Sequence, residues 1–315
     1  MILELGFFTL LLVVGFFLII KSADFFVDQS AALGRHYGLS KLIIGLTIVA
    51  IGTSLPELFT SVISFLFTDN YSDFIVGTVV GSNISNTLLV FGLFLIFAKD
   101  FVVPRREIVN VVVNILSTAA IITFVLLGFV NFMALFLLLG YFAYVIYTSK
   151  YDKDKVLHEE ESIEEKIKSI PRSYFILFLT VIGLFVGSRF VITSIENIGS
   201  LLAIPTAYLT LTTIAIGTSL PEVAVTINTA RKKEFLMGIG NVLGSNTMNI
   251  AVIFSLSGLF GYYTIDTSLY IYSVIFLALA TAIFSVSLLL KKFKSRQGWL
   301  LLTLYLAYII TFFLG

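Results

Sequence analysis

Along the chain, long apolar stretches alternate with short joints that carry charge, Gly, Pro or Asn. Runs such as Gly6–Ile20, Tyr174–Gly187 and Ile271–Leu290 contain no charged residue, and they suit the roughly 20 residues an α-helix needs to cross a bilayer. Breaking the chain at its joints predicts ten spans, at about 3–33, 40–66, 72–98, 106–127, 130–149, 173–199, 206–230, 236–261, 268–290 and 298–314. The first stretch starts at Met1 with no basic segment before it and no small-residue cleavage site. It is therefore expected to be a retained helix and not a signal peptide.

Composition makes the membrane reading firm. The 315 residues are 58% hydrophobic and only 12% charged, against roughly 25% charged in soluble domains. A mean hydropathy of +1.03 leaves too little polar surface to coat a globule in water. Cys is absent, which removes disulfides, thiolate metal sites and cysteine nucleophiles. The net charge of +1 says nothing about a nucleic-acid partner, because the charges are segregated by joint, and none is expected. The expected surroundings are the lipid bilayer of a cell membrane, with no obligate protein partner and a chain that can act as a monomer.

The charges are sorted by joint. If the N-terminus lies outside, the joints after spans 1, 3, 5, 7 and 9 face the cytoplasm and hold eighteen of the 20 Lys and Arg. Lys21 and Arg189 lie within the first and sixth spans, and Asp69, Asp73 and Asp266 fall in outer joints. The positive-inside rule then places both termini outside. The hydrophilic stretch Tyr151–Arg172, with acidic runs Glu159–Glu161 and Glu164–Glu165, reads as a solvated cytoplasmic linker. It divides the chain into a first half at 1–149, a linker at 150–172 and a second half at 173–315.

The halves repeat one another. Ala50-Ile51-Gly52-Thr53-Ser54-Leu55-Pro56-Glu57 recurs unchanged as Ala215-Ile216-Gly217-Thr218-Ser219-Leu220-Pro221-Glu222. Gly77-x3-Gly81-Ser82-Asn83-x2-Asn86 recurs as Gly240-x3-Gly244-Ser245-Asn246-x2-Asn249. Each copy covers five spans, an odd number, so the second enters the membrane from the opposite side. The predicted fold is an all-α membrane protein of ten transmembrane helices in two inverted five-helix repeats, the architecture of many secondary transporters. A simple duplication explains shared apolar patterning. It does not explain why polar, helix-weakening residues at membrane depth match letter for letter.

Those residues point to a cation. Glu57 and Glu222 fall near the middle of their spans, where a carboxylate costs several kcal/mol unless partnered. Neither motif contains a basic residue. Pro56 and Pro221 cannot donate to the carbonyls four residues back, so discontinuous core helices with freed carbonyls are expected around Gly52–Pro56 and Gly217–Pro221. Ser, Thr and Asn beside carboxylate make an all-oxygen set suited to hard cations such as Ca2+. The only histidines, His36 and His158, fall in cytoplasmic joints, which disfavours a soft transition metal. The pairs Gly77/Gly81 and Gly240/Gly244 are spaced to let helices approach closely.

At these residues the sequence resembles the sodium/calcium exchanger family of the cation/calcium antiporter superfamily. The paired G-T-S-L-P-E and G-S-N-x-x-N motifs are similar to that family's α-repeats, and the likeness spans nearly the whole chain. The resemblance implies a secondary antiporter, not an enzyme, exchanging Na+ for Ca2+ with no cofactor. It implies that Glu57 and Glu222, with the carbonyls of Thr53 and Thr218, hold Ca2+. The same carboxylates, with Ser54, Ser82, Ser219, Ser245 and the carbonyls of Ala50 and Ala215, would hold Na+, and Asn86 and Asn249 would line the centre. It also implies that the first and sixth helices slide past the core once the site is neutralised. Asn249, where many prokaryotic members carry Asp, leans towards K+ independence. Thr78 opposite Asn241 breaks the symmetry of the surrounding shell.

Three other readings compete. A Ca2+/H+ exchanger of the same superfamily could load protons on the two Glu, though protons need no hydroxyl cage. A cation channel would need a continuous pore, which a two-fold pseudo-symmetric site does not supply. An intramembrane hydrolase built on Ser54 or Ser219 lacks a His or Lys general base in either motif.

Overall fold

The computed structural model describes residues 2–67, 71–103, 108–156, 170–202, 219–258 and 263–314. The centre of the expected linker and the first half of the seventh span lie outside these residues. Within them, the chain is almost wholly helical, and eight helices are long and apolar enough to cross a membrane. The other two predicted spans are represented by the helices Leu220–Arg231 and Ser295–Leu314.

The first span runs as one helix over Ile2–His36 and the sixth over Ile170–Leu201. They pack antiparallel through small residues. A Cβ on Gly15 would lie 2.9 Å from the Gly187 carbonyl, and one on Gly187 would lie 2.9 Å from the Gly15 carbonyl. In hydrocarbon, where lipid is as apolar as Leu, such close backbone approach is the main source of helix–helix attraction. The outward faces carry Phe7, Leu10, Phe17, Phe175 and Phe178, all exposed, as a lipid-facing surface requires.

The remaining spans form a separate core. Its buried apolar residues come from the second to fifth and seventh to tenth spans, whereas residues of the first and sixth spans join a second cluster with Ile44, Val49, Val225 and Met237. Polar side chains are turned inward, among them Asn110, Thr118, Ser273 and Thr281. Thr118 and Thr281, 163 positions apart, share a buried hydrogen bond of 3.3 Å. That separation equals the offset between the G-S-N-x-x-N motifs, so each threonine meets its own repeat counterpart and the pseudo-two-fold axis passes between them. Tyr144 donates to Asn110 at 2.6 Å, and the corresponding pair Ser273 and Tyr308 lies at 3.3 Å.

Two short ladders, absent from the sequence reading, join the halves. β1 (Phe101–Val102) pairs antiparallel with β4 (Lys292–Phe293), and β2 (Phe129–Val130) with β3 (Tyr263–Thr264). Gly128 precedes β2 with φ +75°, and Lys291 precedes β4 with φ +61°. Both close a helix in the left-handed conformation that turns the chain into its strand.

The core helices are irregular, but not quite where expected. In the first repeat Ala50–Phe67 is one helix with Pro56 inside it. The distortion is a π-turn at Gly45–Val49, about two turns before the proline. Proline's fixed φ is helical, so the helix survives the loss of one hydrogen bond. In the second repeat a helix begins at Leu220 with Pro221 in its first turn, and Ser219 before it is non-helical at φ −91°, ψ 4°. The third span comprises Tyr71–Ser85, a π-turn at Asn86–Val90 and Phe91–Ala98. The eighth repeats this plan, with Phe235–Met248 followed by a π-turn at Asn249–Phe254. Single π-turns inside α-helices concentrate at functional sites, and here each starts on the last Asn of its motif.

Candidate functional site

The second and eighth spans meet backbone to backbone. A Cβ on Gly240 would lie 2.5 Å from the Leu42 carbonyl, and one on Gly244 would lie 2.5 Å from the Leu46 carbonyl. Only glycine lets the π-turn of one repeat rest on the G-S-N-x-x-N helix of the other. This approach brings Thr53 beside the eighth span, where its hydroxyl donates to Asn241 Oδ1 at 3.2 Å and lies 3.5 Å from Ser245 Oγ. It also reaches the Ala50 carbonyl at 3.4 Å. Asn241 is held in turn, its Nδ2 donating to Thr226 Oγ1 at 2.8 Å.

One residue on, Ser54 Oγ donates to Glu222 Oε1 at 3.3 Å, bridging the two repeats. Glu57 and Glu222 are each only 1% exposed. A buried carboxylate is stable only with a positive partner or a proton. Across the centre, Asn249 Nδ2 donates to Asn83 Oδ1 at 3.4 Å, and Asn246 Nδ2 to Thr87 Oγ1 at 2.9 Å.

Among the described residues the expected donors are thus buried, and several remain unsatisfied. Among the described residues, Ser82 Oγ, Ser219 Oγ, Glu222 Oε2, Asn249 Oδ1 and both amide atoms of Asn86 have no hydrogen-bond partner. Leaving a buried polar atom unpaired costs about 1–3 kcal/mol, more for a charge. A concentration of such atoms on matching motifs of both repeats is the signature of a site that takes up something else. The acceptors are all neutral or carboxylate oxygens, which fits a hard cation. The structure joins Thr53, Ser54, Ala50, Ser245 and Glu222 by direct contacts. Thr218 and Ala215 lie outside the described residues.

Some of the shell was not anticipated. In the sequence Asn241 reads only as a break in symmetry, yet it organises Thr53. Thr226 follows Glu222 by four residues, one turn along the same helix face. The signal was available: Ser61 follows Glu57 at the same spacing and is also buried. Thr78, the counterpart of Asn241, cannot supply an amide, so the shells around the two motifs differ.

The inverted halves, distorted core helices and enclosed midplane carboxylates define a secondary transporter of the inverted-repeat class. Sequence comparison narrows this further. The family model for "Sodium/calcium exchanger protein" matches residues 7–150 and 172–314, so the chain belongs to the sodium/calcium exchanger family. The inner membrane protein YrbG of Escherichia coli K12 is 33% identical over 259 residues, covering 80% of this chain and 79% of that protein. The sodium/calcium exchanger MaX1 of Methanosarcina acetivorans is 27% identical, covering 96% and 98%. Among solved structures, the sodium-calcium exchanger NCX_Mj soaked with 2.5 mM Na+ and 10 mM Sr2+ superimposes with a TM-score of 0.82 at 27% identity. That match covers 97% of this chain and 99% of the other.

Proposed function

We propose that this chain exchanges Na+ for Ca2+ across a cell membrane by alternating access, with Glu57 and Glu222 as the shared ion-binding carboxylates. The observation that carries the reading is the pair of repeat-related buried Glu, with Ser54 of the first motif donating to Glu222 of the second, among unsatisfied Ser and Asn oxygens of both repeats. Two carboxylates neutralise one Ca2+ or two Na+. The same site therefore takes either ion, with Thr53, Thr218, Ala50 and Ala215 giving carbonyls and Ser54, Ser82, Ser219 and Ser245 giving hydroxyls. Asn86 and Asn249 face the centre from the two π-turns. Because Asn249 adds no third charge, K+ is not required.

Loading removes the electrostatic penalty of moving the site across hydrocarbon, so only a filled carrier changes its access. An empty, doubly charged site resists the change, which couples the two fluxes. The segregation of the first and sixth spans from the core cluster supports their sliding as the moving unit. The charge distribution supports an arrangement with both termini outside and residues 150–172 in the cytoplasm. It also supports reading 1–149 and 173–315 as the two repeats around the bilayer midplane.

The test is radiolabelled Ca2+ uptake into liposomes driven by an outward Na+ gradient, beside Glu57→Gln and Glu222→Gln. The expected result is uptake that needs internal Na+, survives collapse of the pH gradient and is lost in both variants. Uptake that follows a pH gradient and ignores Na+ would instead assign Ca2+/H+ exchange.

A further inference from the structure

The seventh span ends in a cap that places one lysine against the first span. Glu234 N–H donates to the Thr229 carbonyl at 2.8 Å and Lys233 N–H to the Ala230 carbonyl at 3.1 Å. Together with Lys233 at φ +60°, these bonds form a Schellman ending. The cap turns Lys232 back toward Ile2–His36. Lys232 Nζ lies 2.6 Å from Asp24 Oδ1, 2.7 Å from Asp28 Oδ1 and 2.9 Å from the Asp24 carbonyl. Asp24 and Asp28 are one turn apart on one helix face, so a single ammonium reaches both. Asn228 Nδ2 reaches Asp24 at 3.5 Å, and a cavity of about 350 Å³ opens beside the group, lined also by Ile20, Lys21 and Arg231.

These contacts join the first span to the seventh at the edge of the apolar cluster in which Phe26 and Val27 of the one meet Val225 of the other. Lys232 caps the core helix that carries Glu222, ten residues away. Asp24 and Asp28 belong to the helix that, on the function proposed above, slides past that core. The neighbouring ion pair Lys41–Glu234, at 2.9 Å, differs in that both partners lie at ends of core spans. The Lys232 group is partly exposed, with Asp28 side-chain exposure at 55%. That keeps it weak enough to break in each cycle, since exposed ion pairs contribute little beyond about 1 kcal/mol.

We propose that Lys232, with Asp24 and Asp28, is a latch that holds the first span against the seventh and keeps the access path on that face closed. Lys232 is a positioning residue: it touches no transported ion and acts through the placement of the first helix. Breaking it biases the carrier toward the state open on its own face, the cytoplasmic one in the proposed orientation.

The absence of Cys makes the test clean. Ala23→Cys introduces a thiol at a buried position of the first span beside the latch. It is labelled with a membrane-impermeant maleimide from each face, in otherwise unchanged protein and with Lys232→Gln, Lys232→Arg or Lys41→Gln. Lys232→Gln is expected to speed labelling from the latch face about fivefold, the factor that loss of roughly one such interaction gives. The half-saturating Ca2+ measured from that face should fall and that from the other face rise, because a population shift moves the two in opposite senses. Lys232→Arg should restore both values, and Lys41→Gln should leave them unchanged. Unchanged labelling in Lys232→Gln, or loss of maximal rate with both half-saturations intact and no rescue by Arg, would overturn the latch. Labelling reports helix separation whatever ion moves. A labelling shift in protein that shows no Na+-driven Ca2+ uptake would therefore overturn the functional reading and leave the latch in place.

Discussion

Gly240 offers the sharpest test of how the site is assembled. In Gly240→Ala the new Cβ would lie 2.5 Å from the Leu42 carbonyl and 3.0 Å from both Gly45 Cα and Leu46 N, where ordinary contact begins at 3.4 Å. All three are backbone atoms, so no side chain can swing aside, and the second and eighth spans must separate by about 0.5–1 Å, enough to forfeit much of the dispersion attraction along the contact. Overpacking of this kind costs about 1–3 kcal/mol, and it outweighs the gain of up to about 1 kcal/mol from replacing glycine by alanine within a helix. The same retreat acts on Thr53, whose contacts to Asn241 and Ser245 at 3.2 and 3.5 Å are already long. A displacement of about 1 Å at a positioned site can lower activity on the order of a hundredfold. Gly240→Ala should therefore lower both the melting temperature and the maximal rate of Na+-driven Ca2+ uptake, the rate by tenfold or more on this scale. Gly140→Ala is the control, because its Cβ would meet no described atom within 4 Å. Normal uptake and melting in Gly240→Ala, or equal losses in the control, would refute the close-packing argument.

Two further variants separate chemistry from scaffold. Ser54→Ala removes the hydroxyl that donates to Glu222. It should raise the half-saturating Na+ about tenfold, as loss of one hydrogen bond to a charged group does, with a smaller change for Ca2+ in the same uptake assay. Lys233→Gly relieves the left-handed conformation at φ +60°. It should raise the melting temperature by about one or two degrees and leave transport unaltered, in contrast with its neighbour Lys232.

Much of this architecture is legible in the chain because a membrane leaves few solutions. Runs of apolar residues must be helices, and a matched pair of motifs in odd-numbered halves must be inverted. Buried Glu57 and Glu222 follow from their depth alone, and the close approach at Gly240 and Gly244 follows from small residues four apart. Other features depend on tertiary partners. Pro56 signalled a break that falls at Gly45–Val49 instead, because a proline constrains its own φ but does not decide which neighbouring turn takes up the slack. The π-turns beginning at Asn86 and Asn249 leave no mark in apolar periodicity. Asn241 reads as a mismatch until Thr53 and Thr226 are seen on either side of it. The two-residue ladders are too short to show strand alternation at all.

Those ladders carry a further consequence. Moving from the first half to the second takes β1 to β3, 162 positions on, and β2 to β4, 163 positions on. Under that mapping the contact of Phe101 with Phe293 becomes the contact of Tyr263 with Val130, and the pair Val102–Lys292 becomes Thr264–Phe129. A single contact is thus made twice, each half giving one strand to either ladder, as in the isologous interface of a two-fold homodimer. The chain is in effect such a dimer with its subunits tethered and since diverged. Its seam is closed by the same stitch at both ends, leaving the first and sixth helices outside the binding.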